Sequence, residues 1–194
     1  LHDFNTPLAS LRLNSSMLKR EIGENEKVSR IEQSIQNILK LQLHLRSYLQ
    51  NHTMQKESFD LQSLVKEQLY ILEKNYPYIH FTIDIPPSNL LTNKEAFSRI
   101  IDNLITNAAK YNKQNGFVNI LYKNNNLKII DSGKGIKKPK YIFDRFYKEQ
   151  DRGIGIGLHI VKKLCDELGI NISVVSILNE GTQFTLDLSK LTFD

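Results

Sequence analysis

A single cysteine in 194 residues, Cys165, excludes an internal disulfide framework and any zinc site built from several thiolates, and it fits a reducing compartment. It stands among Val161, Leu164 and Leu168 at helical spacing, which makes it a packing residue. Nucleic acid is disfavoured as a partner, because the chain has no arginine-rich block and no interleaving of basic with aromatic residues. The net charge of +5 and the pI near 9.2 are then left to nucleotide phosphates or an acidic protein partner. No apolar run reaches the roughly 18 residues of a membrane span and no signal peptide stands at the start, so the expectation is a soluble chain. Internal repeats and low-complexity tracts are missing as well. The abrupt start at Leu1, beside a motif treated below, predicts a piece of a longer polypeptide.

What is present suffices for a core. With 40% hydrophobic and 24% charged residues the chain has an ordinary globular composition, long enough for one large or two small domains. From Pro7 to Ile22 the apolar residues Leu8, Leu11, Met17, Leu18 and Ile22 recur as on an amphipathic helix, which Gly23 to Glu26 breaks. Val28, Ile31, Ile35, Ile38, Leu45 and Leu49 then follow at steps of three and four, with Gln42 in one seam position, a heptad pattern. Leu39, Leu41 and Leu43 widen the stripe. A two-helix hairpin cannot bury this much apolar surface alone, so two hairpins are expected to pair into a four-helix bundle; the alternative is that the stripe packs on the rest of the same chain. Asn51 to Ser58 is polar and forms the candidate linker, giving domains 1–54 and 55–194.

In the second region Asp60 is placed to cap a helix running to about Lys74, and His80 to Ile85 reads as a strand ended by Pro86-Pro87. Asn93 to Lys110 reads as a strong helix with Ala96, Phe97, Ile100, Ile101, Leu104, Ile105 and Ala108 on its apolar face. Beside that face Asn103, Asn107 and Lys110 recur at steps of four and three, a polar stripe. Phe117 to Lys123 and Leu127 to Asp131 read as a hairpin turned through Asn124 to Asn126. A helix from Leu158 stops at Gly169, and Ile170 to Leu178 and Thr182 to Leu188 are two more strands. The expectation is an α+β sandwich of about three helices and five strands, its helices on one face.

Three stretches carry chemistry. Asp131-Ser132-Gly133-Lys134-Gly135 puts a carboxylate at a strand end with two glycines behind it, where Asp131 can accept from an exocyclic amine such as adenine carries. Asn107 offers a hard oxygen of the kind Mg2+ takes, with waters and phosphate oxygens completing its shell, and Lys110 adds a positive charge nearby. Gly153, Gly155 and Gly157 leave backbone N–H groups to face phosphates at the start of the helix that opens at Leu158. Each has an ordinary reading too, as capping amides, a solvated lysine or a plain loop. Their joint occurrence in this order does not.

In that order the chain resembles the sensor histidine kinases. Asn103 to Tyr111 is similar to their N box, Asp131 to Gly135 to the G1 box, Phe143 to Phe146 to the F box, Gly153 to Gly157 to the G2 box, and Gly181-Thr182 to the terminal Gly-Thr. The wider class shares the Bergerat ATPase fold with Hsp90, MutL and gyrase B. The resemblance implies an N-terminal helical hairpin forming a dimeric four-helix bundle, followed by an α/β sandwich that binds ATP. It places Asp131 on the adenine, Asn107 on Mg2+, and Asn103, Lys110 and Tyr111 near the phosphates. Gly133, Gly135, Gly153, Gly155, Gly157, Leu158 and Thr182 complete the nucleotide site, with Arg145 and Lys148 as further phosphate contacts.

His2-Asp3-Phe4-Asn5-Thr6-Pro7-Leu8 resembles the H box of the same family. That implies His2 as the phosphoacceptor, Asp3 orienting its ring proton, and Thr6 positioning water when the partner is dephosphorylated. The implied partner is a response-regulator receiver domain that takes the phosphoryl group on an aspartate, and the implied location is the cytoplasmic portion of a membrane-anchored sensor whose membrane segments lie upstream. Propensity alone reads Thr6 as an N-cap and Pro7 as the first helical residue, whereas the family runs a helix through the histidine. The chain departs from the pattern at Asn5, Asn93 and Leu168-Gly169, and its segment between Phe146 and Gly153 is shorter than a typical ATP lid. His159, on the helix after the glycines, reads as structural. A regulator-binding scaffold or phosphatase with weak nucleotide binding is the alternative function, and an ATP-driven machine or a serine kinase of the anti-sigma type is a third.

Overall fold

The computed structural model describes residues 5–23, 25–49, 55–145, 147, 149 and 155–192. The chain divides into two compact units between Thr53 and Met54.

The first unit is a helical hairpin of α1 (Asn5–Ile22) and α2 (Glu26–Leu49). Gly23 takes a φ of 78°, the left-handed conformation that ends α1 without a side-chain clash. Asn25 starts α2, its Oδ1 accepting from the N–H of Lys27 at 2.9 Å and of Val28 at 3.0 Å. Helix α1 begins ahead of the position that propensity assigns, so Thr6 and Pro7 lie inside it rather than at its cap. Leu8, Val28 and Ile35 are buried, whereas Leu11, Ile31 and Ile38 stay 48%, 41% and 42% exposed. The last three line a groove of about 270 Å³ with Arg30, Ser34 and Ile35. Of the four described stripe positions, Ile31 and Ile38 are therefore open in a single chain. The side chains of Gln42, Leu45 and Leu49 lie outside the described residues, as do those of Leu41 and Leu43.

The second unit opens with β1 (Glu57–Asp60), which pairs antiparallel with β3 (Asn89–Thr92), Glu57 opposite Thr92. Neither strand follows from the sequence reading, which placed Glu57 and Ser58 in a linker. Helix α3 (Leu61–Asn75) is capped by Asp60, whose carboxylate accepts from the Ser63 N–H at 2.8 Å. That bond and its neighbours hold the Asp60 carboxyl below the usual range. Strand β2 (His80–Asp84) is followed by β3 and then α4 (Lys94–Lys110), whose N-cap Asn93 accepts from the Ala96 N–H.

Strands β4 (Phe117–Lys123) and β5 (Asn126–Asp131) form a hairpin turned by Asn124 and Asn125, at φ of 51° and 59°, the mirror-turn geometry asparagine tolerates. Helix α5 (Gly157–Leu168) ends at Gly169, and β6 (Asn171–Ile177) and β7 (Gly181–Asp187) close the unit. The large sheet has the order β2-β4-β5-β7-β6, with β2 parallel to β4 and the other pairs antiparallel. Every second residue of β4, β5 and β7 is buried, so one sheet face carries the helices. Among the described residues the unit thus holds seven strands rather than five.

Helix α4 is the spine of this core. Phe97, Ile100, Ile101, Leu104 and Ile105 are fully buried, as are Leu61 and Val65 of α3, Val161 and Cys165 of α5, and Ile120 and Leu127 of the sheet. Each such side chain contributes about 1.5–3 kcal/mol by burial, and truncating Phe97 to alanine costs about 3–5 kcal/mol. Burial pushes the Cys165 thiol up to about 12, which makes it inert packing.

Candidate active site

The polar stripe of α4 ends where the β5 loop begins, and backbone geometry holds the two together. Lys134 N–H donates to the Tyr111 carbonyl at 3.1 Å. A Cβ at Gly133 would stand 2.6 Å from that same oxygen, so only glycine allows the approach. Ser132 Oγ accepts from the Phe117 N–H at 2.8 Å and meets Asn112 Oδ1 at 3.1 Å, while Asn112 Nδ2 donates to the Phe117 carbonyl at 2.9 Å. Asn112 was not singled out from the sequence, and Ser132 stood in the quoted motif without a role. The only local signals were a small hydroxyl directly after Asp131 and an amide directly after Tyr111.

The other side of the loop is tied to the β6–β7 turn. Gly135, at φ 68°, passes the Ile177 carbonyl so closely that a Cβ would stand 2.1 Å away. Ile136 N–H donates to Ser176 Oγ at 2.8 Å, and Ser176 Oγ lies 3.0 Å from Thr182 Oγ1. Thr182 itself sits opposite Asp131 across β5 and β7.

Asp131 is buried in this frame. Burial raises its carboxyl to about 6, against the opposing hydrogen bonds from the Gly133 and Thr182 N–H groups. The Gly133 N–H reaches Asp131 Oδ1 at 2.8 Å. A buried carboxylate in a glycine cradle, holding one oxygen on the Gly133 N–H, can accept from a polar donor such as an amine.

Asn103 and Asn107 are half-buried along α4 and Lys110 is exposed at its end, with Nζ 5.0 Å from the Tyr111 ring centroid. Asn103 Nδ2 donates to the Arg99 carbonyl at 2.8 Å, which turns Oδ1 toward α5: a Cβ at Gly157 would stand 3.0 Å from it. The first turn of α5 thus abuts the polar stripe. Its N-cap residue Ile156 makes no side-chain cap bond, unlike Asp60 and Asn93 on α3 and α4. The leading N–H groups of α5 are left for a ligand, with the helix dipole favouring an anion. Gly155 has a φ of 72°, and Leu158 is half-buried on the turn.

The structure therefore brings together Asp131, Gly133, Gly135 and Thr182 at one end, and Asn103, Asn107, Gly157 and Leu158 at the other. Arg145 is exposed and engaged in an interaction of its own. Nearby, Glu149 accepts from the N–H groups of Lys137 and Lys138 at 2.8 and 2.7 Å and from the Tyr147 hydroxyl at 2.7 Å. Burial works against the Glu149 charge, but these bonds outweigh it and hold the carboxyl low, and the same contact pushes the Tyr147 phenol up to about 12. Lys148, Gly153, His2 and Asp3 lie outside the described residues, as does the side chain of Thr6. Among the described residues no group of three or more His, Cys, Asp or Glu could hold a metal ion.

The model of the histidine kinase-, DNA gyrase B- and HSP90-like ATPase family matches residues 92–192. The sensor histidine kinase YcbM of Bacillus subtilis (strain 168) is 35% identical over 125 residues, 57% of this chain and 40% of its own length. Full-length ShkA, solved in complex with AMPPNP, superposes with a TM-score of 0.76 at 20% identity over 100% of this chain and 45% of that one. Histidine kinase ThkA, solved in complex with the response regulator protein TrrA, gives a TM-score of 0.70 at 16% identity over 99% and 59% of the two chains. The chain spans 40% to 59% of the length of the curated relatives it matches. Among the described residues no helix is long and apolar enough to cross a membrane.

Proposed function

Because the chain belongs to the histidine kinase-, DNA gyrase B- and HSP90-like ATPase family, and within it to the sensor histidine kinases of two-component signalling, we propose that it is a kinase core that phosphorylates His2 with ATP. The observation that carries the reading is Asp131, a buried carboxylate at the end of β5 whose Oδ1 accepts from the Gly133 N–H at 2.8 Å beside the closely approached Gly133 and Gly135, and which an adenine amine would complete. Asn103, Lys110, Tyr111, Gly155, Gly157 and Leu158 line the phosphate end in this account, with Arg145, Lys148 and Gly153 as further phosphate contacts. Gly133, Gly135 and Thr182 frame the base. Asn107 would hold Mg2+, which when bound neutralises phosphate charge.

In the transfer, a ring nitrogen of His2 forms a bond to the γ-phosphorus as the bond to the β,γ-bridging oxygen breaks, and ADP leaves with that oxygen. Asp3 accepts the proton of the other ring nitrogen, so that the attacking nitrogen keeps its lone pair. Positioning and charge neutralisation supply most of the rate. The phosphoryl group then passes to an aspartate of a response regulator, and Thr6 orients water when that regulator is dephosphorylated. Residues 1–54 form the dimerisation and phosphotransfer hairpin, and residues 55–194 the ATP-binding domain. The open stripe of Leu11, Ile31 and Ile38 supports pairing of two hairpins into a four-helix bundle. The chain acts as the cytoplasmic portion of a membrane-anchored sensor.

A chase tests the transfer. Chain labelled from γ-labelled ATP is freed of nucleotide and mixed with a receiver domain; the label leaves the chain and appears on the receiver. A receiver lacking its acceptor aspartate leaves the label where it is. Label that stays on the chain with every receiver domain tried contradicts the transfer step.

A further inference from the structure

We propose that His159 is a positioning residue that fixes the first turn of α5 for ATP, an inference that rests on the ATP-binding reading above. His159 is half-buried in that turn, and its Nδ1 lies 3.0 Å from the carbonyl oxygen of Phe143. A carbonyl oxygen only accepts, so Nδ1 carries the proton and the tautomer is set by this contact. The bond joins residues 16 positions apart, on either side of the segment that runs from Asp144 to Leu158.

The acceptor is itself held in place. The Phe143 ring meets Phe184 of β7 edge-on, with centroids 6.5 Å apart and an interplanar angle of 67°. Phe184 is buried and stands two residues after Thr182, which faces Asp131 across the sheet. Ile142, just before Phe143, is buried too. The Phe143 carbonyl is thus a fixed point referred to the same strand that frames the base end of the site.

On its opposite flank the turn meets α4, where Gly157 approaches Asn103 Oδ1. Ile156 supplies no side-chain cap, and Gly157, Leu158 and Ile160 have no polar side chain, so His159 is the one residue of this turn able to make a directional side-chain bond. Gripped between Phe143 and Asn103, the leading N–H groups of α5 keep a constant angle to the Asn103 and Asn107 stripe. Those N–H groups are what a phosphate would meet. Losing the His159 bond loosens ground-state binding of ATP without removing any group that touches the transferring phosphorus.

The test compares His159→Leu with His159→Asn in the full chain. Asparagine places an amide N–H near the position of Nδ1–H, so it restores the bond; leucine keeps bulk and deletes it. His159→Leu raises the KM for ATP about three- to tenfold, the range one hydrogen bond commands, with kcat within about twofold, and His159→Asn stays within about twofold of wild type in both. Equal losses in the two variants, or an unchanged KM in His159→Leu, overturn the proposal. A second readout needs no nucleotide: the nitrogen spectrum of the His159 imidazole, assigned by its loss in His159→Asn, shows the Nδ1–H tautomer in the free wild-type chain. An Nε2–H tautomer overturns the tie directly. Absence of ATP binding by the wild-type chain would strike the ATP reading, while the tautomer still decides whether the His159–Phe143 bond exists.

Discussion

Gly181 lies so close to Asp131 that a Cβ at position 181 would stand 1.8 Å from the Asp131 carbonyl oxygen, and its φ of 137° is one that L side chains rarely adopt. Contact and conformation thus demand glycine independently, at the residue just before Thr182, which pairs with the site's central carboxylate across the sheet. Gly181→Ala should destabilise the second unit by about 2 kcal/mol or more, since neither the strand pair nor the backbone can yield. Urea unfolding checks this: an unchanged midpoint would mean the β5–β7 pairing is looser than the structure shows.

Asp131 also makes stability and binding move in opposite directions. Burial raises its carboxyl from the ordinary 3.8 to about 6 in the folded chain, so between those values the folded chain binds more protons than the unfolded one. Its contribution to stability therefore falls as pH rises through that window. Asp131→Asn, which keeps an oxygen for the Gly133 N–H, should stabilise the free chain at pH 7 by about 1–3 kcal/mol. The same variant should lose adenine-nucleotide affinity by about 10- to 100-fold, as expected when a charged acceptor is removed. Wild-type affinity should decline as pH drops below about 6. Denaturant titration and calorimetry at pH 5 and 7.5 check all three outcomes, and a variant that binds ATP as well as wild type removes the carboxylate from the base site.

Ser132 holds the loop to the end of α4 through the Phe117 N–H and Asn112. Ser132→Ala leaves that N–H without its acceptor and should cost about 1–3 kcal/mol, measurable by chemical unfolding. Ser132→Thr keeps the hydroxyl, and recovery there would separate the lost bond from the lost volume.

The half-exposed stripe of the hairpin predicts assembly. Light scattering should give twice the 22.5 kDa chain mass for wild type and a single chain mass for Ile31→Asp with Ile38→Asp. A monomeric wild type would return the stripe to the alternative of packing within one chain.

Helix α4 was legible in the sequence because its apolar positions hold one face for the whole length from Phe97 to Ala108; Asn93, read as its first residue, is in fact its N-cap. The β4–β5 turn was legible for a similar reason, as consecutive asparagines tolerate positive φ. Strands β1 and β3 were not. They are four residues each and pair with each other outside the large sheet, too short for alternation to show, and the polar Glu57-Ser58 looks like linker. The heptad in α2 announced an apolar stripe but not that Val28 and Ile35 would be buried while Ile31 and Ile38 stay open in a groove with Leu11 of α1. At the site, Asp131 and the glycines stood out as a local motif, whereas the Ser132–Asn112 contact joins residues 20 apart and follows only from the packing of β5 against the end of α4. The His159–Phe143 bond is hidden in the same way, since nothing local distinguishes a tying histidine from a core one.

The most direct test of the account is incubation of the chain with γ-labelled ATP and Mg2+, beside His2→Gln and Asn107→Ala. The account predicts an acid-labile, base-stable label in wild type that is absent from both variants, with His2→Gln still binding ATP. Bound ATP with no label on wild type, or label that survives in His2→Gln, would contradict it.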